Sequence, residues 1–178
     1  MNARILHFTA FALLAGLASA AQAGVATSTD TSKAQATNEI IGDWRVTCGA
    51  PAKGRKTCVL SQTLISAKLK KPVGVLMISR DDGGKLKGSL RLPVGVALQA
   101  GVVLGLENQA APLTLPYATC HHTGCFAPFD VSEPMLGQMG KASKISAVVQ
   151  STSKEPLNLT FSTRGFPAAY AAYVKASQ

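Results

Sequence analysis

Two pairs of cysteines stand close together in the chain, Cys48 with Cys58 and Cys120 with Cys125, and each pair restricts the backbone between its members. In an extended strand Cys120 and Cys125 would have Cα atoms about 17 Å apart, whereas a disulfide tolerates about 5.5 Å. A bond between them requires the chain to reverse, and Gly124 supplies a residue with no Cβ penalty in left-handed conformations. Cys48 and Cys58 flank "GAPAKGRKT", a polar turn between two stretches of strand character. Local pairing in two hairpins is the expectation. A bridge from Cys48 to either later cysteine, across two sheets, is the alternative.

Disulfides persist in oxidising compartments, so the N-terminus matters. It reads "MNARILHFTAFALLAGLASAAQAG": Arg4, an apolar run and a tail of small residues. That is the pattern of a secretory signal peptide. Residues 1–23 are assigned to it, with cleavage after Ala21-Gln22-Ala23. The apolar run is shorter than the ~20 residues a spanning helix needs, so the mature chain is expected to carry no transmembrane segment. Residues 24–40, "GVATSTDTSKAQATNEI", have little apolar surface to offset the entropy of ordering and read as a flexible lead-in. Residues 41–178 are enough for a single domain. The expected location is the periplasm or the medium.

Within that domain short strands alternate with turn chemistry. In "DWRVTC" the residues Trp44, Val46 and Cys48 alternate with Arg45 and Thr47, so one face is apolar and Trp44 belongs to the core. "VGVLMISR" and "KLKGSLRL" flank "DDGG", a hairpin signal because Asp-Gly and Gly-Gly accept positive φ. Further strands are expected at "KTCVLSQTLI", "GVVLGLE", "LTLPYATC", "CFAPFDV", "KISAVVQ" and "LNLTFSTR". Their number and spacing give an all-β fold, a sandwich or a barrel. Two short helices are expected, one capped by Ser132 with Pro134 in its first turn and one opened by Pro167. The apolar stretch 92–106 reads as two buried strands joined near Gln99-Ala100-Gly101, with an exposed apolar ridge as the competing reading.

"YATCHHTGCFAP", residues 117–128, admits three chemistries: a metal site, thiol exchange or a staple. Neither cysteine spacing suits zinc, and oxidised thiols would leave His121 and His122, which on an extended segment point to opposite faces. Thiol exchange would want C-x-x-C at a helix start. The motif is therefore read as a staple presenting a small loop. G-x-S-x-G, H-E-x-x-H and phosphate-loop patterns are absent from the sequence. The expectation is a non-enzymatic protein without metal or cofactor; the alternative is an enzyme whose site assembles only in three dimensions.

Without residues 1–23 the chain holds 17 lysines and arginines against nine acids. Eleven of those cations lie in residues 45–91, where the acids are Asp81 and Asp82. Lys53, Arg55, Lys56, Lys68, Lys70, Lys71, Lys85 and Lys87 are the candidate contact residues for an anionic envelope or host component, be it lipid, glycan or acidic protein. Export argues against nucleic acid as the physiological partner.

Taken together, "IGDWRVTC", "KTCVLSQ", "SLRLPVGVALQAGVVL", "PYATCHHTGCFA" and "FSTRGFPAAY" resemble the invasion-associated locus B family of exported bacterial proteins, over about residues 42–169. The resemblance implies an immunoglobulin-like β-sandwich in the periplasm or envelope of a Gram-negative bacterium, with two disulfides at the four cysteine positions. In pathogenic members it implies a contribution to host-cell invasion. It brings no catalytic residues.

Overall fold

Period-two burial organises the first sheet. Strand β2 (Trp44–Cys48) buries Trp44, Val46 and Cys48 and exposes Arg45 and Thr47. Strand β3 (Cys58–Ile65) pairs antiparallel with it and buries Cys58, Leu60 and Gln62 on the same side. In this computed structural model the described residues are 37–49, 56–107 and 111–178, which lie within the unit Ser32–Gln178. The expected signal peptide and most of the expected lead-in fall outside them, as do Lys53 and Arg55.

The lead-in does not extend to residue 40. Strand β1 (Thr37–Ile41) pairs antiparallel with β2, Ile40 opposite Arg45, and Arg45 Nη1 donates to Asn38 Oδ1 at 2.7 Å. Composition misses such a strand because it forms through backbone pairing while Asn38, Glu39 and Ile40 stay exposed.

From β3 the chain meanders through β4 (Pro72–Arg80) and β5 (Leu86–Leu92), whose hairpin is the "DDGG" turn. There Gly84 takes φ +81° and donates its N–H to Asp81 O, and Lys85 N–H donates to Asp81 Oδ1. After β5 the chain crosses to a second sheet through residues 93–101, which include a single 3₁₀ turn at Leu98–Ala100. The two buried strands expected in 92–106 are thus one strand end and one strand, β6 (Val102–Leu106). Pro93 lacks a ladder donor and Gly95 sits at φ +88°, so the first half cannot continue as a strand. Both expectations for the stretch are partly met: Leu92, Val96, Val102, Leu104 and Leu106 are buried, whereas Val94 and Leu98 are exposed.

The stretch "LTLPYATC" also divides. Strand β7 (Leu113–Leu115) joins the second sheet beside β6, and β8 (Thr119–His121) returns to the first, with Pro116 between them. Strand β9 (Gly124–Asp130) pairs with β8 and β5. Helix α1 (Glu133–Lys141) follows, its Met135 N–H bonded to the Ser132 hydroxyl. Then come β10 (Lys144–Gln150), β11 (Pro156–Ser162) and helix α2 (Phe166–Ala176) with Pro167 in its first turn. The larger sheet runs β1-β2-β3-β4-β5-β9-β8 and the smaller β11-β10-β6-β7.

One apolar core unites the sheets and both helices. Trp44 is wholly buried, meeting Phe166 of α2 edge to face at 4.9 Å, and its Nε1–H donates to Ser162 O at 3.1 Å. Gln62 ties the layers together: its Nε2 donates to Ser162 O at 2.8 Å and its Oε1 accepts from Ser162 N at 2.7 Å. The likeness to immunoglobulin domains lies in the two antiparallel layers and the buried tryptophan. The disulfides lie within the larger sheet, Cys48–Cys58 between β2 and β3 and Cys120–Cys125 between β8 and β9.

On β5, Gly88 is covered by the Phe129 ring, and a Cβ there would come within 2.2 Å of it. Replacing Gly88 by alanine is expected to displace the ring and cost about 1–3 kcal/mol. Urea unfolding would read this as a lower midpoint with an unchanged slope.

Candidate functional site

The hairpin topology decides where the cationic residues go. Antiparallel connections leave alternate ends of a sheet, so the 81–85 turn leaves the opposite end of the larger sheet from the 66–71 loop between β3 and β4. Lys56 precedes β3 at the first of these ends, and Lys85 lies in its β4–β5 turn. Lys68, Lys70 and Lys71 occupy the other end and are exposed. Lys87 also lies toward the first end, as the second residue of β5, on its solvent face and paired with Asp130 of β9. The residues therefore do not form one surface, although they are close in sequence.

Charge at the first end is mixed. A cleft there is lined by Lys56, Arg80, Asp81, Asp82, Tyr173 and Ser177. Asp81 is committed to its turn, and Arg80 Nη1 donates to Gly84 O at 2.8 Å. The ion pairs among the described residues, Lys87–Asp130 and Arg164–Asp43, are both at the surface, with Asp43 half-buried. The Arg164 guanidinium beside Asp43 holds its carboxyl below the usual value, and Lys87 does the same for Asp130. A neutral group is shifted elsewhere: burial pushes the Tyr117 phenol up to about 12, and its hydroxyl has no partner among the described residues.

The second end differs in charge and in polarity. The 66–71 loop contains no acid, and neither does the 93–101 crossover that leaves β5 at the same end. Pro72, Arg91, Pro93 and Thr123 line one small cavity, which brings the loop, the crossover and the β8–β9 turn side by side. Loop geometry is fixed by Ser66. Its N–H donates to Lys71 O, its carbonyl accepts from Lys70 N–H, and its hydroxyl accepts from Leu69 N–H. Lys70 takes φ +53° to close the loop. The exposed large hydrophobic residues among the described residues are Ile40, Ile65, Leu69, Val94 and Leu98, and the last four flank or occupy these two connections. Sequence reasoning noted the lysines but not Ile65 and Leu69; the signal was the interleaving in "ISAKLKKP", where apolar residues have no strand face to occupy.

In "CHHTGC" the Cys120–Cys125 bond links directly opposed residues of β8 and β9. His121 and His122 are exposed. His121 stacks on Phe126 at 5.0 Å, and its Nδ1 lies 3.1 Å from Thr123 Oγ1. The two imidazoles do not diverge as an extended segment would make them. Their centroids are 5.6 Å apart, because β8 ends at His121 and the turn begins at His122. No group of three or more metal-ligating side chains converges among the described residues. No helix among them is long and apolar enough to cross a membrane.

The chain is similar to an invasion protein B homolog of Brucella abortus, 28% identical over 163 residues that cover 91% of this chain and 88% of that protein. It is also similar to the invasion protein B of Bartonella bacilliformis, 24% identical over 130 residues, or 72% and 69% of the two chains. The crystal structure of invasion associated protein B from Bartonella henselae shares the fold, with a TM-score of 0.70 at 20% identity over 79% of this chain and 96% of that one. The model of the family described as invasion associated locus B (IalB) protein matches residues 44–174, from the start of β2 into α2. A match that takes in both sheets, both disulfides and both helices leaves one assignment: the chain belongs to the invasion-associated locus B family.

Proposed function

We propose that this protein is exported to the periplasm or beyond, works there as a non-catalytic accessory or binding protein, and contributes to host-cell interaction by contacting an anionic envelope or host component. The observation that carries the reading is the exposed lysine cluster of the 66–71 loop. Three of four consecutive positions, 68–71, are lysine, the loop has no acid, and neither ion pair among the described residues involves it. Cations held this close add their fields, and attraction reaches about one Debye length, ~8 Å at physiological salt. Export is supported by the signal-like N-terminus and by two disulfides, which an oxidising compartment sustains. The names of the relatives support the link to invasion.

The test compares the protein with a Lys68→Glu, Lys70→Glu, Lys71→Glu variant on a heparin column at two salt concentrations. The unaltered protein should be retained at low salt and released as salt rises, and the variant should elute earlier. Equal retention of the two, or retention indifferent to salt, overturns the cationic contact. Recovery of the protein from the cytoplasm with four free thiols overturns export.

A further inference from the structure

We infer that the end of the larger sheet formed by the 66–71 loop and the 93–101 crossover is a docking surface for an anionic phospholipid bilayer. Its lysines face the headgroups, and Leu69, Val94 and Leu98 enter the boundary between headgroups and acyl chains. The inference rests on the proposed anionic contact and names the partner.

Single exposed hydrophobic residues need no explanation, but their placement here does. Four of the five large ones among the described residues gather at one end, on or beside two neighbouring connections, and that end also bears Lys68, Lys70, Lys71 and Arg91. The adjoining 151–155 turn, which reaches the crossover through Thr152 N–H to Gly95 O, adds one charge of each sign, Lys154 and Glu155. The net charge of the end stays positive.

The combination selects among anionic partners. A glycan uses the lysines alone and leaves 49–62% of Leu69, Val94 and Leu98 in water to no purpose, and a protein partner would need an apolar patch set among its acids to match them. A bilayer offers both chemistries at the right depth, with phosphate outermost and hydrocarbon beneath. Lysine stems suit this layering, since their methylenes lie along apolar surface while the ammonium stays at the phosphate level. The loop also arrives prepared. Three hydrogen bonds with Ser66 fix the loop backbone at Leu69, Lys70 and Lys71, so little backbone ordering is required on contact.

The experiment is co-sedimentation of the purified protein with two kinds of vesicle, phosphatidylethanolamine with phosphatidylglycerol and phosphatidylethanolamine with phosphatidylcholine. It uses the unaltered protein, the triple lysine-to-glutamate variant, and a Leu69→Gln, Leu98→Gln variant. Near-ultraviolet circular dichroism of buried Trp44 shows that each is folded. Binding is expected to the phosphatidylglycerol vesicles only. A lysine near an anionic surface contributes roughly fivefold, so the triple variant should bind at least a hundredfold more weakly. The leucine variant should bind about tenfold more weakly to vesicles yet keep its heparin retention. Equal vesicle binding by the leucine variant and the unaltered protein overturns lipid docking while leaving the cationic contact standing. If the triple variant keeps both vesicle and heparin binding, both readings fall.

Discussion

Replacing Trp44 by alanine should destabilise the protein by about 3–5 kcal/mol, a large part of the 5–15 kcal/mol that a domain has in total. The indole is wholly buried where the larger sheet meets α2. Its removal loses the transfer energy of a large ring and leaves a cavity that Phe166, packed from the other side, cannot fill without moving the helix. The lost hydrogen bond is the smaller part. Ser162 O also accepts from Gln62 Nε2, so it keeps a partner when Nε1 is gone. The Trp44→Phe variant separates the two contributions, because it keeps most of the volume and lacks the N–H; its expected cost is about 1–2 kcal/mol. Denaturant unfolding followed by far-ultraviolet circular dichroism gives both values. A cost below about 1 kcal/mol for the alanine variant would place the contact with α2 outside the cooperative core.

How far the sequence discloses this fold depends on whether a signal is local. The alternation in "DWRVTC", the Asp-Gly turn before β5, the Ser132 cap of α1 and Pro167 in α2 each act within a few residues, and each element stands where that chemistry puts it. The partition into two sheets is not local. Nothing near Leu92 says that the chain leaves one layer for the other, and Pro116 turned out to separate β7 from β8 rather than to sit within one strand. Gln62 reads as a polar residue in a strand until β11 arrives to offer Ser162. The cationic residues show the same limit. Eleven charges in residues 45–91 look like one basic region, but antiparallel hairpins send successive turns to opposite ends, leaving Lys68, Lys70 and Lys71 as the cluster.

Removing the Cys48–Cys58 bond by a double alanine substitution should cost about 3 kcal/mol, against about 2 kcal/mol for removing Cys120–Cys125. Loop closure alone gives that order, since the bonds span 10 and 5 positions and the longer loop restrains more of the unfolded chain. The folded state should widen the gap. Cys48 and Cys58 are buried in the core on the strands that carry Trp44 and Gln62, so their alanine replacements also lose packing. Of the other pair Cys125 is buried as well, but Cys120 is exposed on β8, a three-residue strand at the edge of the sheet, so one member of that pair rather than two loses core packing. The two variants should therefore differ in kind. Without Cys48–Cys58 the whole domain unfolds at lower denaturant. Without Cys120–Cys125 the global midpoint moves less, while amide exchange quickens first in β8 and the His121–Thr123 turn. Denaturant unfolding and hydrogen exchange on the same samples test this. A larger global loss from the Cys120–Cys125 variant would mean that the β8–β9 hairpin anchors the sheet edge more firmly than its burial indicates, and that the end of the sheet bearing the lysines is held from the histidine turn rather than from the core.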